Sequence, residues 1–171
     1  MIDISSSPVA EFSVDITEIG DIESALIAGK VICYSQGFEM LRRASNAFEW
    51  NLPLPEIAEV WRAGCIIRSD MLNDMASALR EDPERLLMFA PFFSDLLKTH
   101  VPALRKVVGA SLTAGHPVPA LASALTYFDA MRTGRGTANM IQGQRDFFGE
   151  HGFERTDKAG KDFHGPWTAD R

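Results

Sequence analysis

An arginine and a histidine six residues apart, in Ile141-Gln-Gly-Gln-Arg-Asp-Phe-Phe-Gly-Glu-His151, are the residues of this chain best placed to do chemistry together. A guanidinium is a planar fork of donors and an imidazole adds another, so the pair suits one oxyanion gripped from two sides. The order of residues predicts how they are presented. An amphipathic helix runs up to Gly149, the expected left-handed stop, which places Arg145 in the last turn and His151 just beyond it. Downstream, Phe163-His164-Gly165-Pro166-Trp167-Thr168 reads as an irregular tail ending in an aromatic anchor. Spacing alone leaves a second reading open, in which Arg145 pairs with Asp146 or Glu150 and His151 is a surface residue.

Other chemistries find little support. His100, His116, His151 and His164 stand in no nucleophile motif, so no catalytic residue is assigned. His164, in an F-H-x-x-W pattern, reads as a packing or hydrogen-bonding tail residue. Cys33 and Cys65 have no CxxC partner and no histidine at metal-ligand spacing, which leaves no metal site. Both read as small hydrophobes in apolar helical surroundings, a usage that suits a reducing cytosol. No G-x-G-x-x-G follows a strand, and Gly134-Arg135-Gly136 reads as a link between helices, so no cofactor site is assigned.

A net charge of −6 argues against a nucleic-acid or anionic-membrane surface. An anionic substrate therefore needs a local cationic site, because the global field repels it. The N-terminus carries Asp3 and Glu11 and no basic-then-apolar run, so it does not read as a signal peptide. The longest strongly apolar stretch, Leu86 to Phe93, contains Pro91 and is far short of a membrane span. A soluble, cytoplasmic protein is expected.

The elements that must position Arg145 and His151 are helical. Residues 1–16 are Ser-rich and read as a loose arm. From Thr17 the apolar positions Ile22, Leu26, Gly29, Cys33, Gly37, Met40 or Leu41, Ala44 and Phe48 step by threes and fours, which predicts one long helix ending near Asn51. Gly29 and Gly37 on that stripe suggest close approach by another helix. Pro55 opens a second helix through Trp61, and Met71, Met75, Ala78 and Leu79 mark a third that ends before Pro83. Leu86 to Leu97 and Pro102 to Ala114 predict two more. Pro119 opens the next, and Ala138 to Phe148 is the last. No β-branched run of period two occurs. The expected fold is all-α, a multi-helix bundle-like domain over 17–149 with a long first helix and an extended, irregular tail over 150–171.

The wording of these segments resembles the C-terminal domain of 6-phosphogluconate dehydrogenase. The stretch from Ile141 to His151 is similar to that family's I-Q-A-Q-R-D-Y-F-G-A-H. Trp61-Arg62-Ala63-Gly64-Cys65-Ile66-Ile67-Arg68-Ser69 resembles its W-R-G-G-C-I-I-R-S. Gly115-His116-Pro117-Val118-Pro119 resembles its G-x-P-x-P, Ala124-Leu125-Thr126-Tyr127-Phe128-Asp129 its A-L-S-x-Y-D, and Tyr34-Ser35-Gln36-Gly37-Phe38 its Y-A-Q-G-F. Order and spacing match from about Thr17 to Thr168.

The resemblance implies oxidative decarboxylation of 6-phosphogluconate to ribulose 5-phosphate, in the pentose phosphate pathway, by a homodimer whose C-terminal tail crosses to its partner. NADP or NAD is then bound by a Rossmann domain, and proton transfer is done by a lysine and a glutamate. All of these lie in family segments that precede the matched region. What maps onto this chain is the family's phosphate-binding pair, as Arg145 and His151. Phe147 stands for the usual Tyr and Ala63 for a Gly. Glu150 stands for a small residue, and its carboxylate either competes for Arg145 or points into solvent. The expectation is therefore a distal helical portion that supplies substrate-phosphate contacts and dimer surface. Alone it binds no cofactor and is inactive, and it acts with a separate Rossmann-domain chain where one exists. The alternative is a non-catalytic helical dimerisation module.

Overall fold

The computed structural model describes residues 19–168, so the arm expected over residues 1–16 lies outside the described residues. Six α-helices carry the chain: α1 (Ile19–Ala47), α2 (Leu54–Trp61), α3 (Met71–Glu81), α4 (Pro91–Thr113), α5 (Pro119–Arg132) and α6 (Ala138–Gly149). Short 3-10 turns cover Leu87–Phe89 and Pro166–Thr168. The fold is all-α; the one β feature among the described residues is an isolated antiparallel bridge between Phe153 and Phe163. Contacts divide the described residues into two units, one running to Phe128 and the other starting at Asp129.

The first unit is built on α1 lying along α4. Ala25, Ala28, Val31, Ile32 and Phe38 of α1 and Phe93, Leu97, Leu104, Val107 and Val108 of α4 are buried in one core. Leu72, Met75, Ala76 and Leu79 of α3 and Leu54 and Ala58 of α2 complete it. Two buried α1 serines hold the chain that follows: the Leu52 N–H donates to Ser45 Oγ at 2.9 Å, and the Met88 N–H to Ser35 Oγ at 3.1 Å. A polar side chain in a core is stable when it is hydrogen-bonded, and here each serine satisfies a loop amide.

Three expectations are corrected here. The two helices expected on either side of Pro102 are one, because α4 runs unbroken from Pro91 to Thr113. Proline removes one backbone hydrogen bond and crowds the carbonyl four residues back. Pro102 is on the exposed face, so that carbonyl meets water, while Leu97, Val101 and Leu104 on either side stay buried against the core. Packing therefore outweighs the local penalty.

The buried face of α1 matches the stripe read from the sequence only in part, at Gly29, which is buried, and at Leu41, which packs against the core. Ile22, Leu26, Cys33 and Met40 are exposed, and the core takes Ala25, Ala28, Val31, Ile32, Ser35 and Phe38 instead. The helix is apolar on two faces, and periodicity cannot say which of them α4 covers. Of the two stripe glycines, only Gly29 is crowded: a β-carbon there would lie 2.8 Å from Leu121 Cδ2, whereas Gly37 has nothing within 4 Å.

The cysteines differ from expectation for the same reason. Cys33 is exposed on the uncovered face, where partial burial still raises its thiol pKa. Cys65 lies in the turn after α2, with its thiol donating to the Trp61 carbonyl at 3.0 Å. Ile66, in the same turn, is 99% exposed.

Candidate functional site

The second unit positions the Arg145 and His151 pair. α6 is ringed by exposed side chains, among them Met140, Ile141, Phe147 and Phe148, and its single buried residue is a carboxylate, Asp146. The helix ends where Glu150 turns left-handed (φ 52°, ψ 38°), with its N–H on the Asp146 carbonyl at 2.8 Å. This corrects the expectation that Gly149 is the left-handed residue. The His151 imidazole lies over Gly149, where a β-carbon would stand 2.7 Å from its Nε2 and the ring would have to shift.

Beyond His151 the chain folds back onto α6. Gly152 has φ 68°, and a β-carbon on it would lie 3.0 Å from Asp162 Cα, so both conformation and space favour glycine. Phe153 and Phe163 exchange N–H···O bonds of 2.9 and 3.0 Å, closing the intervening loop at its neck. Inside the loop the Arg155 guanidinium forks onto Asp157 at 2.6–2.8 Å. Past the neck, Trp167 lies 3.5 Å from the β-carbon position of Gly143 and folds over Gly165, whose β-carbon would overlap the indole.

Asp146 ties these pieces together. Its Oδ1 accepts from the Gly152 N–H at 2.8 Å and lies 2.7 Å from His164 Nδ1. Its Oδ2 accepts from the Gly165 N–H and from Trp167 Nε1, both at 2.9 Å. The carboxylate is 0% exposed. An ionised carboxylate only accepts, which assigns the proton on Nδ1 to His164. Burial pushes the Asp146 carboxyl up, but the Gly165 amide, His164, the Gly152 amide and the Trp167 indole outweigh it and hold the group well below the usual carboxylate range.

A carboxyl whose folded pKa is depressed adds stability that is fully present above its unfolded value, about 3.9, and lost as pH falls through the lower folded value. The tail should therefore stay on α6 from neutral pH down to about pH 4, and loosen only in stronger acid. Slow exchange of the Trp167 indole proton through that range checks this. Release of the indole well above about pH 4 would overturn the Asp146 assignment.

Arg145 and His151 both stand exposed near the C-terminal end of α6. Arg145 Nη1 donates to Gln142 Oε1 at 2.8 Å. Of the two acids offered as its partners, Asp146 is taken by four tail donors. Glu150 caps the helix end. The remaining guanidinium donors meet solvent, so the arrangement presents a forked cation and an imidazole at one helix end. Sequence reasoning found that pair but gave Asp146 only a passing role. Its signal was present, as an acid inside a helix followed by Gly152 and by an F-H-x-x-W tail.

No group of three or more His, Cys, Asp or Glu that could hold a metal occurs among the described residues. Among the described residues no helix is long and apolar enough to cross a membrane. Among the described residues no strand precedes a glycine loop of the kind that grips a dinucleotide, and Gly134-Arg135-Gly136 joins α5 to α6.

Residues 5–167 match the family described as 6-phosphogluconate dehydrogenase, C-terminal domain. The chain is 44% identical over 166 residues to the decarboxylating 6-phosphogluconate dehydrogenase of Lactococcus lactis subsp. cremoris, covering 96% of this chain and 35% of that protein. It is 46% identical over 153 residues to the NAD(+)-dependent decarboxylating enzyme of Bacillus subtilis, covering 89% of this chain and 32% of that one. The structure of Plasmodium falciparum 6-phosphogluconate dehydrogenase, known in apo form and with NADP+ or 6-phosphogluconate, superposes with a TM-score of 0.83. That comparison has 36% identity and covers 98% of this chain and 34% of the parasite enzyme. The chain thus spans about a third of the length of the relatives it matches.

Proposed function

We propose that this chain, which belongs to the 6-phosphogluconate dehydrogenase family, supplies the substrate-phosphate contacts and dimer surface of a cytoplasmic enzyme that oxidatively decarboxylates 6-phosphogluconate. Arg145 is the principal contact, a forked donor for two phosphate oxygens, and His151 is its helper. The observation that carries this reading is the solvent-facing guanidinium and imidazole at one end of α6, in a chain 44% identical to such an enzyme. Neither side chain is consumed by an internal ion pair; Arg145 spends one donor on the neutral Gln142 amide.

NADP or NAD is held by a dinucleotide-binding part in this reading, since the described residues offer no place for it. Association as a homodimer follows from apolar surface that one copy leaves uncovered. On the first unit this surface comprises Leu26, Met40, Val60 and Ile66, and on the second Met140, Ile141 and Phe148. The tail belongs to the dimer surface in this proposal, with α6 and its bound tail meeting the partner as one piece.

Each charge-assisted bond to a phosphate is worth about 1.5–3 kcal/mol in a water-poor site. In an enzyme complemented with the dinucleotide-binding part, Arg145→Ala should therefore raise KM for 6-phosphogluconate about tenfold or more. The turnover number should move less, because the phosphate is remote from the reacting carbon. An unchanged KM would remove the phosphate assignment.

A further inference from the structure

We propose that Asp146 is the positioning residue of this anion site: by taking two tail donors on each carboxylate oxygen, it fixes where His151 stands relative to Arg145. The inference rests on the phosphate reading above and deepens it.

Covalent order makes the link direct. Arg145 is the residue before Asp146, and the N–H that Asp146 Oδ1 captures belongs to Gly152, whose peptide bond carries the His151 carbonyl. One side chain, borne by the residue next to Arg145, therefore grips the backbone next to His151. Its other oxygen is held from the far side by the Gly165 amide and the Trp167 indole, and His164 closes the set. Four donors from three points of the tail leave the Asp146 side chain no freedom to rotate, so the position of the His151–Gly152 peptide is fixed with it. Gly149, with no β-carbon, leaves room for the imidazole at the helix end.

A contact needed only to hold the tail down would use an apolar side chain, as the α1–α4 interface does. α6 buries a single residue, and that residue is a carboxylate. Burying a charge costs far more than burying a leucine unless every lone pair is met, and meeting them imposes fixed directions. Direction is what a two-point grip on phosphate requires, because misplacing one donor by about 1 Å forfeits most of its hydrogen bond.

The test titrates the 15N-labelled 171-residue chain with 6-phosphogluconate, following Arg145 Nε and the His151 ring, and measures amide exchange at Gly152 and Gly165. The wild-type chain is expected to bind in the millimolar range. Asp146→Asn, which turns a donor toward the tail's own donors, should weaken binding about tenfold and expose both glycine amides while α6 stays protected. Trp167→Phe keeps an aromatic ring and removes one donor, and should fall between the two. Arg145→Ala should lose binding with both glycine amides still protected.

Affinity measured where each chain is folded is a readout that a merely structural role leaves unmoved. Wild-type affinity in both Asp146→Asn and Trp167→Phe would overturn the positioning role and leave the phosphate reading standing. Wild-type affinity in Arg145→Ala, or no binding by the wild-type chain, would overturn the phosphate reading and this inference with it. Should Asp146→Asn fail to fold, Trp167→Phe decides alone: weaker binding supports the inference and unchanged binding ends it.

Discussion

Replacing Phe93 by alanine should destabilise the chain by about 3–5 kcal/mol, the range for emptying a fully buried aromatic site. Phe93 is 0% exposed on α4, in the core shared with α1, and meets Phe92 edge to face at a centroid distance of 5.1 Å. Its loss leaves a cavity between the two longest helices, whose backbones cannot both collapse into it. For a chain of this length each kcal/mol lowers Tm by about 2–4 °C, so a drop of roughly 6–20 °C is expected by circular dichroism. Phe92→Ala is the control. Phe92 is largely exposed and should cost about 1 kcal/mol or less, mostly through the lost ring pair. Equal losses at the two positions would mean that the face of α4 has been assigned wrongly.

That comparison tests the part of the fold least legible in the sequence. The helical period was readable along the whole chain, because steps of three and four recur wherever a helix has one apolar face. Which face is buried was not readable for α1, because both its stripes are apolar and only the partner helix chooses between them. The continuity of α4 through Pro102 was hidden for a related reason: a proline's local cost is visible in one residue, while the packing that overrides it is spread over Phe93, Leu97, Val101 and Leu104.

At the site, the cationic pair was legible because arginine and histidine advertise their chemistry. The carboxylate behind them was not. Nothing in the residues around Asp146 says that its partners are the amides of Gly152 and Gly165 and the rings of His164 and Trp167, up to 21 residues away. The left-handed helix stop was read at Gly149 because glycine favours that backbone, whereas the chain makes the turn one residue later, at Glu150.

The largest functional effect expected is complete: the 171-residue polypeptide by itself should form no NADPH or NADH from 6-phosphogluconate. Hydride transfer needs a nicotinamide held against the reacting carbon, and the all-α described residues hold no strand–glycine-loop–helix unit to grip one. Proton removal needs a tuned base within hydrogen-bond reach of the reacting hydroxyl. In the proposed reading Arg145 and His151 hold the phosphate, at the wrong end of the substrate for that task. Binding energy from a remote phosphate accelerates a reaction only when the reacting groups share the same site. The polypeptide should therefore bind the phosphate ester weakly, on the order of −4 kcal/mol for a millimolar constant, and do nothing further to it. A spectrophotometric assay for reduced nicotinamide, run with and without an added dinucleotide-binding partner chain, separates the two contributions. Turnover that appears only with the partner, and falls when Arg145 is then replaced by alanine, assigns binding to this chain and chemistry to the other. Turnover by the 171-residue polypeptide alone would place a base and a nicotinamide site within it and sink this division of labour.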